Sequence, residues 1–118
     1  LTVKQYASFF RILYNSSYLN WRMSEKALDL LAGSEFKEGL EAGMPGGIAV
    51  AHKYGERLSP DGTSRQLHDC GIVYHPRSPY LLCVMTRGND YKDMAEVIRR
   101  ASALVFKEVD RQAPVRRD

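Results

Sequence analysis

The sequence has 118 residues, a net charge of +3, 44% hydrophobic residues and 26% charged residues. This length corresponds to one domain with one modest core, and the composition excludes a disordered or collagen-like chain. The sequence has neither a basic stripe nor a nucleic-acid-binding module, and no apolar run reaches the roughly 18 residues of a membrane span. It begins at Leu1 and not at methionine, so we expect that a leader or a longer N-terminal region precedes it.

The first third of the sequence predicts two helices. Thr2 and Gln5 fit a capping box, and apolar residues at helical spacing extend the first helix to about Tyr14. Ser24 is predicted to cap a second helix, which ends before Gly33.

The next segment predicts a short helical stretch followed by a loop. One or two helical turns are expected between Ser34 and Glu41. Gly43–Gly47 is rich in Gly and Pro and indicates a turn into a strand. It lacks the Gly-Lys-Ser/Thr ending and the following helix that a phosphate-binding loop requires.

The second half predicts an antiparallel sheet and a long helix. Apolar and β-branched runs separated by turn residues predict three strands, at 48–54, 67–74 and 80–86. Asn89 or Asp90 is expected to cap a helix that reaches about Val109. One side of this helix carries Met94, Val97, Ile98, Ala101, Leu104, Val105 and Val109, and it is predicted to pack on the sheet through Val97, Ile98, Ala101 and Val105.

The two cysteines lie on the second and third predicted strands. A short turn brings Cys70 and Cys83 close together, but neither candidate turn length places them directly opposite each other. We therefore expect two buried free thiols in preference to a disulfide. The scattered His and Cys residues form no zinc pattern, and no metal site is predicted.

Three short motifs resemble catalytic pairs. His68-Asp69 and His52-Lys53 are strand neighbours whose side chains point to opposite faces, so structural or surface histidines are expected at both places. Ser34-x-x-Lys37 fits a Ser-x-x-Lys pattern, but a helix cap explains Ser34 without a nucleophilic role.

Lys53 is an unusual residue for the middle of an apolar strand. A buried ammonium group is costly, which indicates that Lys53 faces a cleft or a partner. Gly55, two residues later, leaves space for another group to approach the strand.

These features occur together in the order found in one enzyme superfamily. The chain resembles the C-terminal part of a class A β-lactamase or a related penicillin-binding serine hydrolase. His52–Gly55 lies where those enzymes carry Lys-Thr-Gly. The other matching segments are Leu1–Leu13, Met23–Leu31, Leu40–Pro45, Cys70–Tyr74, Leu81–Thr86 and Asp90–Val109.

The resemblance implies an α/β fold with helices, a three-stranded antiparallel sheet and a C-terminal helix packed on it. The implied organisation is the end of a helical region at 1–47, the active-site strand and α/β region at 48–113, and a tail at 114–118.

The resemblance also implies roles for four consecutive residues. Lys53 would act in catalysis, and the backbone N–H of Glu56 would donate to an oxyanion. Tyr54 and Gly55 would bind substrate. Tyr54 replaces a short hydroxyl residue, and Cys70 replaces the arginine that many class A enzymes use to bind a carboxylate.

The function implied is that of an exported bacterial hydrolase acting on β-lactams or peptidoglycan-related amides through an acyl-serine intermediate. The nucleophile would lie upstream of this chain, and no cofactor is implied. The expected partners are the substrate and the N-terminal remainder of the same protein. The alternatives are an inactive cell-wall-binding module, motivated by Tyr54 and Cys70, and a free-standing domain.

Overall fold

The computed structural model describes residues 2–115, so Leu1 and the last three residues of the predicted tail lie outside the described part. Within residues 2–115, three α-helices and three β-strands make up the fold. In chain order they are α1 (Val3–Tyr14), α2 (Trp21–Ala32), a 3₁₀ helix (Glu41–Gly43), β1 (Val50–Leu58), β2 (Arg65–Val73), β3 (Tyr80–Gly88) and α3 (Tyr91–Gln112). The strands form an antiparallel sheet in the order β1-β2-β3, which confirms the predicted fold class.

The sheet separates two apolar clusters. On one face, α1 and α2 pack against the strands around Phe10, Leu28 and Ile72. On the other face, α3 and the 3₁₀ helix cover Val50 and Val73. Because side chains alternate along a strand, the even-numbered residues of β1 face α3 and the odd-numbered ones face α1 and α2.

The beginning of α1 agrees with the sequence, but the beginning of α2 does not. Thr2 and Gln5 form the predicted capping box. For α2 the cap is Asn20, whose side chain accepts a hydrogen bond from the Met23 N–H at 2.9 Å. The predicted cap at Ser24 is wrong because Ser24 lies one turn inside the helix, buried, with its hydroxyl donating to the Leu19 carbonyl.

The helical turns predicted from Ser34 to Glu41 are absent, and only the 3₁₀ helix follows. Side chains take the backbone N–H groups that a helix would use. Phe36 N–H donates to the Ser34 hydroxyl, and Leu40 N–H donates to Asp69 Oδ2 at 3.0 Å. The bond to Ser34 is local and competes with helix formation, whereas the bond to Asp69 comes from β2.

The buried stripe of α3 is narrower than predicted. Met94, Ile98 and Ser102 are buried, whereas Val97 and Leu104 are 54% and 69% exposed. The prediction that Val97 packs on the sheet is wrong because the seven apolar positions span a wider arc than the sheet covers. Ser102 occupies the core because its hydroxyl donates to the Leu40 carbonyl at 2.8 Å.

The two cysteines are bonded to each other, so the expectation of free thiols is wrong. The register of β2 with β3 pairs Cys70 directly with Cys83, and their Cα atoms are 4.0 Å apart. The strands meet at Val73 and Tyr80, and this longer connection produces the direct pairing.

Candidate active site

Lys53 lies on the exposed part of β1. Its register partner is Cys70, so its side chain starts from the face that carries α1 and α2. The ammonium group donates to the Tyr54 carbonyl at 2.8 Å and lies 4.8 Å from the centre of the Tyr54 ring. The Lys53 carbonyl accepts a hydrogen bond from the Tyr6 hydroxyl at 2.8 Å, which ties this strand to α1.

The backbone N–H of Glu56 points away from the sheet. Tyr74 donates to the Ala49 carbonyl at 3.0 Å, and β1 pairs with β2 from there without a bulge. Because bonded pairs alternate along an antiparallel ladder, odd-numbered residues of β1 bond to β2 and even-numbered ones direct their N–H groups outward. Within residues 2–115, no strand pairs with that side of β1. The Glu56 N–H is therefore directed at the outer edge.

Tyr54 packs on the opposite face from Lys53. Its ring stacks on Phe36, with ring centres 4.3 Å apart and an angle of 20° between the planes. This contact belongs to the cluster under α3. The Tyr54 ring is therefore held by packing against Phe36.

The space in front of Gly55 is filled by His68. The two residues are register partners, and a Cβ atom at position 55 would collide with the imidazole ring. The edge of the Tyr6 ring packs on the same imidazole, with ring centres 5.4 Å apart. Burial lowers the pKa of His68, and the charge of Lys53 lowers it further against the opposing effect of Asp69. His68 is thus a neighbour of the candidate site that sequence reasoning did not connect with Gly55.

His52 forms a pair with Asp69 that was not predicted from the sequence. It is buried on the α3 face, and its Nδ1 lies 2.8 Å from Asp69 Oδ1. Its Nε2 lies 3.2 Å from Glu41 Oε2. The expectation of structural histidines is correct for His52, but its partner comes from the neighbouring strand. Only the strand register, which places Asp69 diagonally across from His52, reveals this pairing.

The internal Ser-x-x-Lys pattern has a structural explanation. Lys37 Nζ donates to the Ser34 carbonyl and to Glu41 Oε1, at 3.1 and 3.2 Å. The Ser34 hydroxyl accepts from Phe36 N–H, and the segment is not helical. Among residues 2–115, no cluster of three or more His, Cys, Asp or Glu side chains is arranged to hold a metal ion.

Lys53 and Glu56 place two different polar groups on the same stretch of β1. Lys53 supplies a positive charge, and the outward N–H of Glu56 supplies a hydrogen-bond donor on the same edge. Backbone donors of this kind stabilise the oxyanion that develops during acyl transfer.

Three solved structures illustrate the similarity of the chain to known folds. A β-lactamase from Chitinophaga pinensis DSM 2588 has 20% identity and a TM-score of 0.76, over 87% of this chain and 40% of that one. A mutant of the class A β-lactamase of the last common ancestor of Gram-negative bacteria has 21% identity and a TM-score of 0.72, over 88% and 39%. A PBP-A mutant, in an acyl-enzyme complex with penicillin-G, has 23% identity and a TM-score of 0.72, over 89% and 38%.

The chain spans about two fifths of the length of these structures. No curated protein matches it. Of the helices in the described residues, none combines the length and apolar character needed to cross a membrane. A family model described as the β-lactamase enzyme family matches residues 1–109, nearly the whole sequence. The chain belongs to the β-lactamase enzyme family.

Proposed function

We propose that this chain forms one wall of the active site of a serine hydrolase whose nucleophile lies elsewhere in the protein. In the reaction, the nucleophilic serine transfers its proton to a base, and its oxygen bonds to the substrate carbonyl carbon. The C–N bond then breaks, and the nitrogen takes up a proton. Water hydrolyses the resulting ester. Lys53 binds the substrate carboxylate and tunes proton transfer, and the Glu56 N–H is one of two oxyanion donors.

The observation that carries this proposal is the shared edge of β1. A lysine and an outward backbone N–H three residues later meet the two needs of an acylating site for an anionic substrate. The family match over residues 1–109 supports the same reaction class. The PBP-A mutant was captured as an acyl-enzyme with penicillin-G, which supports β-lactams as one substrate class.

The remaining substrate contacts fall to Tyr54 and Gly55. Since the Tyr54 ring is held on Phe36, we expect it to offer apolar contact and not a hydrogen bond to a carboxylate. Since His68 covers Gly55, the substrate would meet an imidazole beside the strand. Because neither contact replaces the hydrogen bond of a short hydroxyl to a carboxylate, we expect ordinary penicillins to acylate the protein slowly.

The proposed location is outside the bacterial cytoplasm. Disulfides persist mainly in oxidising compartments, and the Cys70–Cys83 bond supports export. The second candidate function is a cell-wall-binding module that has lost catalysis. It is favoured by Cys70, which is engaged with Cys83 and stands where the resemblance leads us to expect a carboxylate-binding arginine.

Acylation by a labelled penicillin tests the proposal. The complete protein should gain one covalent adduct, detected by intact-mass spectrometry, on a serine outside this chain. Lys53→Ala should slow acylation by about tenfold or more, equivalent to roughly 1.4 kcal/mol of barrier. The matched control is Lys107→Ala, an exposed lysine on α3, which covers the opposite face of the sheet.

Two results would contradict the proposal. An adduct on Ser34 would show that the internal Ser-x-x-Lys pattern supplies the nucleophile. Absence of any adduct, together with an upstream region that lacks Ser-x-x-Lys, would favour the binding module.

A further inference from the structure

A buried charged cluster lies directly behind the candidate strand edge. His52 and Asp69 are 0% exposed, and Glu41 closes the cluster from the 3₁₀ helix. Asp69 Oδ2 also accepts a hydrogen bond from the Leu40 N–H at 3.0 Å, and Lys37 Nζ forms a salt bridge with Glu41 Oε1 at 3.2 Å. The cluster therefore joins β1, β2 and the segment before β1.

The geometry determines the protonation of His52. Both ring nitrogens face carboxylate oxygens, at 2.8 and 3.2 Å, and an ionised carboxylate can only accept hydrogen bonds. A neutral imidazole would turn one nitrogen lone pair toward a carboxylate in a buried place, which is unfavourable. With both carboxylates ionised, this arrangement favours hydrogen on both ring nitrogens, which makes the ring an imidazolium.

Two glycines lie against this cluster. Gly71 lies directly opposite His52 in the ladder, and a Cβ atom there would collide with the Ala51 carbonyl oxygen and come within 2.5 Å of the His52 Cβ. At Gly39, a Cβ atom would come within 2.6 Å of both Asp69 Oδ2 and a ring carbon of Phe36. A side chain at either position would therefore displace the backbone or side chains around the His52–Asp69 pair.

We infer that His52 is a positioning residue for the candidate site, an imidazolium that clamps the edge strand β1 to β2 and to the segment at 40–43. In the described residues β1 has a strand on one side only, so contacts from its side chains contribute to holding it in place. The effect of this clamp on acylation rests on the proposed function. The clamp itself rests only on the contacts of His52.

The clamp predicts an unusual dependence on pH. Burial would lower the pKa of His52, but the hydrogen bonds and charges of Asp69 and Glu41 outweigh it and raise the pKa above the ordinary value. A pKa that is higher in the folded than in the unfolded state stabilises the protein below the unfolded pKa. That stabilisation is lost as the pH rises through the folded pKa.

The charged groups of the cluster around His52 come from three segments. Asp69 lies on β2 and Glu41 on the 3₁₀ helix, and Lys37 faces Glu41 from the preceding loop. The part of α3 next to this segment contributes Ser102, which is uncharged and bonds to the Leu40 carbonyl. The net attraction on the imidazolium thus comes from two carboxylates.

Ring nitrogen-15 spectra of the protein test the protonation state. At about pH 7 both His52 nitrogens should show the shifts of protonated nitrogen, and His68 should be neutral because its pKa is lowered. His68 is therefore an internal control. A His52 ring with one protonated and one unprotonated nitrogen at this pH would overturn the inference.

Amide hydrogen exchange at Lys53 and Gly55 tests the positioning role without any substrate. From about pH 6 to about pH 9, protection corrected for intrinsic exchange should fall, because the imidazolium loses its proton as the pH rises through its raised pKa. In His52→Gln, protection should be low and independent of pH. Equal protection in the two proteins at every pH would refute the positioning role.

The acylation rate of the complete protein then connects the clamp with the site. It should fall at alkaline pH in the wild type, and this decline should vanish in His52→Gln. A protein that is never acylated would contradict the proposed function, while the ring spectra and exchange would still decide the clamp. If the acylation rate of His52→Gln still fell at alkaline pH as in the wild type, His52 would have no role in positioning the site.

Discussion

At Gly55 the absence of a side chain determines how β1 and β2 fit together. The imidazole of His68 occupies the position of the missing Cβ and is covered in turn by Tyr6. The glycine therefore has a packing role in this chain, in addition to the substrate-approach role that its position in the sequence implies.

Gly55→Ala should lower the free energy of unfolding by about 1–3 kcal/mol because the added methyl group overpacks against the ring. Urea unfolding measures the change. His68→Ala in the same protein should restore part of the loss, since it removes the colliding ring.

The matched control is Gly46→Ala. No atom lies within 4 Å of a Cβ at Gly46, and the backbone there is not in the left-handed region. This change should be neutral or stabilise by up to about 1 kcal/mol through the unfolded state. Equal losses at Gly55 and Gly46 would contradict the packing role of His68.

At the scale of elements, two neighbouring residues of α3 differ sharply in burial. Ile98 is fully buried against the sheet, whereas its neighbour Val97 is 54% exposed. The two residues are both β-branched, apolar and adjacent in sequence. Replacing each by alanine therefore compares a buried with an exposed position at similar helix propensity.

Ile98→Ala should cost about 2–5 kcal/mol of unfolding free energy because it leaves a cavity in the core. Val97→Ala, the control, should change stability by no more than about 0.5 kcal/mol. Thermal or urea unfolding of the two variants measures both values. A loss at Val97 as large as that at Ile98 would mean that a partner covers the outer side of α3.

At the scale of the whole molecule, the Cys70–Cys83 bond joins the middle of β2 to the middle of β3, beneath α1. The two cysteines are 13 residues apart in sequence. Closing a loop of that length restricts the unfolded chain, which stabilises the folded state.

Reduction should therefore lower the unfolding free energy by up to about 3 kcal/mol. A Cys70→Val, Cys83→Val double variant should be insensitive to the reductant. Mass spectrometry after alkylation under denaturing, non-reducing conditions should find no modified cysteine. Two alkylated thiols would show that the bond does not form.

The sequence by itself determined the identity and order of the main elements. The capping box at Thr2, the alternating strands and the long apolar helix are local patterns, and local backbone preferences respond to neighbouring residues. The resemblance carried by His52–Gly55 and the order of elements identified the family, which the match over 1–109 confirms. The roles of Lys53, Tyr54, Gly55 and Glu56 stay predictions.

Only the tertiary structure decided which residues meet across strands. The pairs Cys70–Cys83, His68–Gly55 and His52–Asp69 depend on register, and a shift of one residue would exchange the faces of every side chain. Register also explains the wrong expectation for the two cysteines. The burial of Ser102 follows from its hydrogen bond to Leu40, and the irregular segment after Ser34 follows in part from the bond between Leu40 and Asp69. Both bonds join residues distant in sequence, which no local pattern encodes.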